Sequence, residues 1–183
     1  MKKRLFLLRN FMLLSLLLLV GGCASELDFD QVEQFELEPV YVGNLTYFDI
    51  KAADYPTSSI AKIILDQQDF SPFQQAFMRE NLIKSELYFE VENTIQRSFL
   101  IQFEMLNASG GVIYTIPISI GASTGGVVNV THTDIFEGAK LSALKQMTQV
   151  RFVLLMQSGV PITSTSTGNL KLRSGATLYF NVQ

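Results

Sequence analysis

The chain has 183 residues, the length of one ordinary domain, and 48% of them are hydrophobic, which is enough to bury a core. It carries 14 Lys and Arg against 17 Asp and Glu, a formal net charge of −3, which argues against a protein that binds nucleic acid through a basic face. With a single cysteine and a single histidine, the composition also argues against a zinc site.

The first 20 residues have the order of charge and apolar side chains that is typical of an export signal. Four basic residues come first: Lys2, Lys3, Arg4 and Arg9. The uninterrupted apolar run that follows, Phe11–Val20, is shorter than the roughly 20 residues that a membrane-spanning helix needs. The run therefore fits the middle of a signal peptide better than a transmembrane helix.

The sequence Val20-Gly21-Gly22-Cys23 resembles the lipobox of bacterial lipoproteins, in which the signal is cut just before a lipid-modified cysteine. The resemblance implies that residues 1–22 are a cleaved signal peptide and that Cys23 is the lipidation site, carrying three acyl chains such as palmitate. Three chains would hold the protein on a membrane, whereas one chain binds only marginally. Ala24 stands where the inner-membrane retention signal of the family has Asp, which implies the outer membrane of a bacterial cell envelope.

Residues 23–38 form an acidic segment that we interpret as a lipidated tether. Removal of residues 1–22 takes away four basic residues and no acidic one, so the mature chain has a net charge of −7. Carboxylates alternate at positions 26, 28 and 30, as they do in a calcium loop, but that loop needs a glycine at its turn and the next glycine is Gly43. A solvated tether is therefore the favoured interpretation.

The first part of the domain predicts a strand and a helix. Val40–Ile50 is rich in β-branched and aromatic residues and predicts a strand. The apolar run Ile60–Leu65 fits either a strand or a helix. Ser71 and Gln74 have the spacing of a capping box, with proline directly after the serine, and predict a short helix over residues 72–82.

The next segments alternate apolar and polar residues, the period of strands that have one buried face. The predicted inward rows are Leu87, Phe89 and Val91; Phe99, Ile101, Phe103 and Met105; Val150, Phe152, Leu154 and Met156; and Leu170, Leu172, Ala176, Leu178, Phe180 and Val182. The predicted outward residues on wet faces include the carboxylates Glu86, Glu90, Glu92 and Glu104. These rows predict at least four strands around one core.

The intervening segments predict a hairpin, a strand and a second helix. The turn at residues 107–111 joins two strands, and Pro117 places the second of them at a sheet edge because proline cannot donate to a ladder. Val127–Thr133 predicts a further strand. Asp134 and Glu137 fit a capping box before a short helix over residues 141–146.

Seven or so strands with turns between them and one or two short helices predict a single antiparallel β-sandwich over residues 39–183, immunoglobulin-like or related. Parallel sheets would need crossover helices that the chain lacks. The domain resembles the uncharacterised small β-rich lipoproteins of Gram-negative envelopes. The predicted organisation is thus a signal peptide (1–22), a tether (23–38) and a mostly β domain.

Candidate catalytic residues are few. His132 with Asp134 could serve a hydrolase, but the Gly-x-Ser-x-Gly match at Gly121–Gly125 lies between two predicted strands rather than before a helix, so it is no nucleophile elbow and an ordinary strand histidine is favoured. The four outward carboxylates could supply a glycosidase pair, although acidic residues on a wet sheet face are common. Six tyrosines could line a sugar-binding face: Tyr41, Tyr47, Tyr55, Tyr88, Tyr114 and Tyr179.

The sequence therefore predicts a non-enzymatic, lipid-anchored envelope protein that acts as a binding or structural module. We expect no cofactor, no metal and no catalytic residue. The expected partners are the membrane, through acyl chains on Cys23, and an envelope protein or glycan, with no nucleic acid. Two alternatives stay open: a carrier of a lipid or other apolar ligand between the sheets, and a small hydrolase that uses His132 and Asp134.

Overall fold

The structure is a computed structural model that describes residues 37–55 and 61–182. The predicted signal peptide, Cys23 and the tether up to residue 36 lie outside the described residues, and they stay predictions. Leu37–Val182 forms one compact unit. The predicted mostly β organisation can be compared with this unit element by element.

Within the described part of the chain, eight strands form two four-stranded sheets in which every pairing is antiparallel. The strands are β1 (Val40–Lys51), β2 (Lys62–Asp69), β3 (Leu82–Asn93), β4 (Arg97–Leu106), β5 (Val112–Ile120), β6 (Val128–Phe136), β7 (Gln149–Gly159) and β8 (Asn169–Phe180). The first sheet has the order β1-β8-β3-β6 and the second β2-β7-β4-β5. The predicted antiparallel sandwich is confirmed, and its eight-strand order is that of a jelly roll.

The two sheets enclose a core of interlocking aromatic rings. Phe89 of the first sheet packs on Phe103 of the second, with ring centroids 5.4 Å apart, and Phe103 packs on Phe152 at 5.0 Å. Most of the predicted inward rows are buried, which confirms their direction. Val150, Leu178 and Val182 are only partly buried, because they contact the margin of the core. The alternation of the sequence therefore gave the correct inner face of β3, β4, β7 and β8.

The hairpin and edge predictions are also confirmed. β4 and β5 pair through the turn at residues 107–111, where Gly110 adopts a φ of +77°. β5 lies at the edge of its sheet, as Pro117 indicated. The ambiguous run after residue 60 belongs to strand β2, which pairs with β7.

The predicted helix over residues 72–82 is wrong in extent. Residues Pro72–Gln74 form a 3-10 turn, Gln75 is extended, and helix α1 covers only Ala76–Asn81. Ser71 makes no capping hydrogen bond, and the Gln74 side chain instead donates to the carbonyl of Met147 at 2.9 Å. The Gln74 side-chain amide, which the predicted capping box would have used, thus makes a tertiary hydrogen bond to Met147 instead.

Helix α2 (Gly138–Gln146) contains the second predicted helix but begins three residues earlier. The predicted capping box is wrong, because Asp134 belongs to β6 and its carboxylate binds the Lys140 ammonium. Glu137 occupies the N-cap position without a side-chain hydrogen bond. The helix is fixed by burial of its Leu141 and Leu144 side chains rather than by a cap.

The strands give the sandwich two distinct ends. At one end, which we call the helix end, lie α1, α2 and the β4–β5 turn, and Leu37 pairs there with Val182. At the other end, the pocket end, lie the β3–β4 turn and the β5–β6 and β7–β8 loops. β8 runs 12 residues between the two ends, a distance of roughly 40 Å at the usual rise per residue.

Candidate functional site

A cavity of about 490 Å³ opens at the pocket end, within the range of small-ligand sites. Three connections form its walls: the β3–β4 turn, the β5–β6 loop and the β7–β8 loop. Its lining residues are Thr94, Ile95, Gln96, Arg97, Ser123, Gly125, Gly126, Val127, Val160, Pro161, Ile162, Thr165, Ser166 and Thr167. Loops on a rigid scaffold are common places for binding residues.

Asn93, the last residue of β3, fixes two of these connections. Its side chain is fully buried and donates to the carbonyls of Arg97 at 2.8 Å and Gly121 at 2.7 Å. The Oδ1 atom of the Asn93 side chain accepts a hydrogen bond from the Ile95 backbone N–H at 2.9 Å. One buried amide therefore shapes the β3–β4 turn and ties it to the β5–β6 loop, where the Ser123 N–H also donates to the Ile95 carbonyl at 2.9 Å.

The β7–β8 loop is attached to the same turn by Thr94. The Thr94 hydroxyl accepts from the Asn169 backbone N–H at 2.7 Å and donates to the side-chain oxygen of Asn169 at 2.9 Å. The Thr94 N–H donates to the Asn169 backbone carbonyl at 2.9 Å. Gly168 passes so close that an added Cβ would lie 2.6 Å from the Thr94 carbonyl oxygen, and its φ is +95°. Only glycine fits this approach without strain. The three connections are thus locked together before any ligand arrives.

Arg97 supplies the ionisable group among the described residues that line the cavity. The residue is 2% exposed, its Nε donates to the Gln157 carbonyl at 2.8 Å, and its Nη1 donates to the Val160 carbonyl at 3.3 Å. The guanidinium therefore holds the start of the β7–β8 loop. A buried charge needs such partners to offset its desolvation.

The remaining lining suits a ligand with hydroxyl groups. Gln96, Thr165 and Thr167 are exposed and offer amide and hydroxyl groups, while Val127 and Val160 supply exposed apolar surface. The lining therefore offers both hydrogen-bonding groups and apolar surface to a small ligand. Among the described lining residues there is no carboxylate, imidazole or thiol.

His132 and Asp134, the predicted hydrolase pair, lie outside this cavity on the edge strand β6. The His132 ring lies 6.5 Å from the Phe89 ring, between centroids, and Asp134 is bound by Lys140. Burial lowers the pKa of Lys140, but hydrogen bonds to Asp134 and Tyr114 outweigh it, so this pKa lies above its ordinary value. The structure therefore joins Asp134 to a lysine and not to the histidine.

The outward carboxylates are divided between opposite faces of the sandwich. Glu86, Glu90 and Glu92 lie on the outer face of the first sheet, where Arg173 binds the last two at 3.4 and 3.1 Å. Glu104 belongs to the second sheet, is 7% exposed and is bound by Arg151 at 2.5 Å. The prediction of a wet face at Glu104 is therefore wrong, because Arg151 covers it.

Glu86, the third of the outward carboxylates on the first sheet, also forms an ion pair. Glu86 is bound by Lys84 at 2.6 Å, and this hydrogen bond lowers the pKa of Glu86 below its usual value. The four carboxylates are thus charged partners of basic side chains. They do not converge on one cleft, since two opposite faces hold them.

Three of the six tyrosines share one face. Tyr47, Tyr88 and Tyr179 occupy outward register positions of the first sheet, and Tyr88 faces Gly175 on the neighbouring strand. Tyr41 packs on Phe180 and Tyr114 on Phe136, with centroids 5.5 and 5.2 Å apart. Three of the tyrosines predicted to bind sugar therefore lie on the outer face of the first sheet, whereas Tyr41 and Tyr114 pack on core phenylalanines.

Sequence reasoning missed the cavity residues. The stretches at residues 163–168, rich in serine and threonine, and at residues 121–126, rich in glycine, have the composition of loops. Nothing in their composition says that they meet, because a jelly roll brings together loops that are distant in sequence. The short polar stretch Asn93-Thr94 between two strands is the signal that could have drawn attention to the turn.

Within residues 37–55 and 61–182, no helix is long and apolar enough to cross a membrane. In the same part of the chain, no three acidic, histidine or cysteine side chains cluster as metal ligands would.

Comparison with known proteins gives structural likeness only. No protein-family model matches the chain, and no curated protein matches it. The VP2 subviral particle of infectious bursal disease virus is 10% identical, over 80% of this chain and 37% of that one, with a TM-score of 0.47. A Bacillus endospore appendage pilus protein is 9% identical, over 79% and 90% of the two chains, with a TM-score of 0.31. The chain spans about a third of the length of the capsid proteins that it matches.

Proposed function

We propose that this protein is a lipid-anchored component of the bacterial envelope whose jelly-roll domain binds a saccharide in the cavity at the pocket end. The observation that carries the binding role is the cavity itself, enclosed by three loops that buried hydrogen bonds hold in place. Preorganisation of this kind raises affinity because less ordering is needed on binding. The anchoring part of the proposal rests on the lipobox ending in Cys23.

The position of the cavity supports this arrangement. The domain begins at Leu37, at the helix end, and the cavity opens at the pocket end, roughly 40 Å away along the strands. A chain anchored through a tether before Leu37 would therefore present the cavity away from the membrane. Such an orientation suits the capture of an extended envelope glycan.

The lining favours a saccharide over an apolar ligand. Hydroxyl and amide side chains outnumber aliphatic ones around the cavity, and the space between the sheets is occupied by aromatic rings such as Phe89 and Phe103. A lipid carrier would need a contiguous apolar cavity. The saccharide is therefore the favoured ligand.

The binding role is tested with the acylated full-length protein in detergent. Purified peptidoglycan fragments and lipopolysaccharide core oligosaccharide are the probes, titrated by calorimetry. We expect Gln96→Ala and Thr167→Val to weaken binding by about tenfold each, since each removes a hydrogen bond of roughly 1 kcal/mol or more. Thr133→Val, an exposed threonine on β6 outside the cavity, is the matched control and should leave affinity unchanged.

Two results would contradict the proposal. Equal loss of affinity in the control would place the ligand elsewhere, and binding of a lysolipid in preference to every oligosaccharide would favour the carrier. Anchoring is checked separately by mass spectrometry of the purified amino terminus. An intact leader, or an unmodified Cys23, would remove the anchor without touching the binding site.

A further inference from the structure

The four strands at sheet edges are protected to different degrees. An edge strand exposes unpaired backbone groups that can pair with another chain, and proteins block such edges with charges, proline or bulges. β2 carries charges and a bulge, with Lys62, Asp66 and Asp69 along it. β5 carries Pro117, and β6 carries Asp134, which pairs with Lys140. Each of these three edges therefore has a charge, a proline or a bulge.

The fourth edge, β1, has no charged residue or proline from Val40 to Phe48. Its first part is also unusually apolar and exposed: Val40 is 54%, Tyr41 is 56% and Val42 is 78% exposed. The bulge of this strand lies further along, between Asn44 and Tyr47. Among the described residues, residues 40–44 therefore form an uncharged edge with no strand paired on its outer side.

The backbone of this segment has groups directed away from its own sheet. The Phe180 N–H donates to the Pro39 carbonyl at 3.1 Å, and such groups alternate along an antiparallel pair. The backbone N–H and C=O groups of Tyr41 and Gly43 therefore point toward β8. The N–H and C=O groups of Val40, Val42 and Asn44 point outward, where another strand could bind them.

We propose that this edge pairs with β1 of a second copy of the chain, antiparallel about a twofold axis through Val42. This pairing does not depend on the saccharide site. It would join the first sheets of two molecules into one continuous sheet.

The segment is self-complementary in this register. Val42 would lie opposite Val42 of the second copy, and Tyr41 would lie opposite Gly43, where an aromatic ring covers a residue that has no side chain. Val40 would face Asn44. Because none of these residues is charged, the twofold brings no like charges together although the mature chain has a net charge of −7.

Such an interface is small, so confinement of the chains matters. A few paired residues bury much less than the roughly 1,200 Å² of a stable standard interface. Chains anchored in one membrane are concentrated near each other, which raises the occupancy of a weak contact. The segment lies at the helix end, where the domain begins, so that pairing leaves both cavities open. Because the paired β1 strands are antiparallel, the two cavities open in opposite directions, so a paired molecule lies along the membrane and the outward orientation proposed above applies to the unpaired one.

The pairing is tested by cross-linking the acylated full-length protein in detergent with a short bismaleimide. Val42→Cys places two thiols opposite each other, and Thr131→Cys on the β6 edge is the matched control. We expect a covalent dimer with Val42→Cys and none with Thr131→Cys, and the wild-type chain sets the background. Equal yields at the two sites, no dimer at residue 42, or a product containing a different protein would overturn the inference.

A second variant tests the same contact without a cross-linker. Val42→Lys puts two ammonium groups opposite each other at the centre of the pairing, where like charges repel. Sedimentation should show weaker association than for wild type, and Thr131→Lys should associate as wild type does. Unchanged association of Val42→Lys would overturn the inference. Because Val42 is 78% exposed, its substitution removes no core contact and leaves the fold intact.

Discussion

The two ends of the sandwich are closed by different physical means. At the helix end, the side chains of Phe73, Leu141, Leu144 and Met147 fill the space between the sheets, and each is at most 7% exposed. At the pocket end, the amide of Asn93 and the hydroxyl of Thr94 hold the loops through hydrogen bonds.

The difference explains how the pocket end can hold a cavity. Apolar side chains attract without direction and collapse until the space is filled. Hydrogen bonds have fixed lengths and directions, so they hold backbone segments at a distance and can leave room between them. Packing at the helix end therefore contributes mainly to stability, and the hydrogen bonds at the pocket end mainly fix the shape of the cavity.

The largest expected effect separates stability from binding. Leu144→Ala should lower the free energy of unfolding by about 3 kcal/mol, because it leaves a cavity at a fully buried position of the helix end. Below its unfolding transition the variant should bind saccharide like wild type. Urea unfolding and calorimetry measure the two quantities, and Ser142→Ala on the exposed side of α2 is the control. A loss of binding in folded Leu144→Ala would show that the two ends are coupled.

A smaller effect tests the close approach at the pocket end. Gly168→Ala should cost about 2–3 kcal/mol of stability, since φ is +95° and the new Cβ would meet the Thr94 carbonyl oxygen at 2.6 Å. Gly110→Ala, also at positive φ but with open space around it, should cost about 1 kcal/mol. Thermal unfolding compares the pair. Only Gly168→Ala should also weaken saccharide binding, and equal effects of the two changes would refute the locked loop.

The smallest effect concerns the charged clamp at the helix end. Lys140 binds Asp134 and lies over the rings of Tyr114 and Phe136, with its Nζ 5.0 and 4.5 Å from their centroids. Lys140→Met should lower stability by about 1 kcal/mol near pH 8, a value that allows for solvent screening.

The pH dependence of this variant has a definite sign. The pKa of Lys140 is raised in the folded protein, so its stabilisation is fully present below the unfolded value of about 10.4 and is lost as the pH rises through the folded value. The difference in unfolding free energy between wild type and Lys140→Met should therefore shrink above about pH 10.4. A constant difference across that range would show that packing, not charge, explains the effect.

Local patterns predicted much of the fold. Period-2 alternation placed Phe89, Phe103 and Phe152 in the core, and proline chemistry placed β5 at an edge, because these signals depend on neighbours in sequence. The capping boxes at Ser71 and Asp134 failed because tertiary partners, the Met147 carbonyl and the Lys140 ammonium, took the groups that a cap would use.

The sequence by itself determined that the chain has β-strands with one buried face, which strand carries a proline, and that a lipobox-like motif ends at Cys23. Only the tertiary structure decided which strands share a sheet, that the connections at residues 93–97, 121–127 and 160–169 meet, and that β1 lies at an edge of the described sheets. Alternation sets the face of each residue, since it acts over two positions. Pairing between strands far apart in the chain depends on how the whole core closes, and no local pattern contains that information.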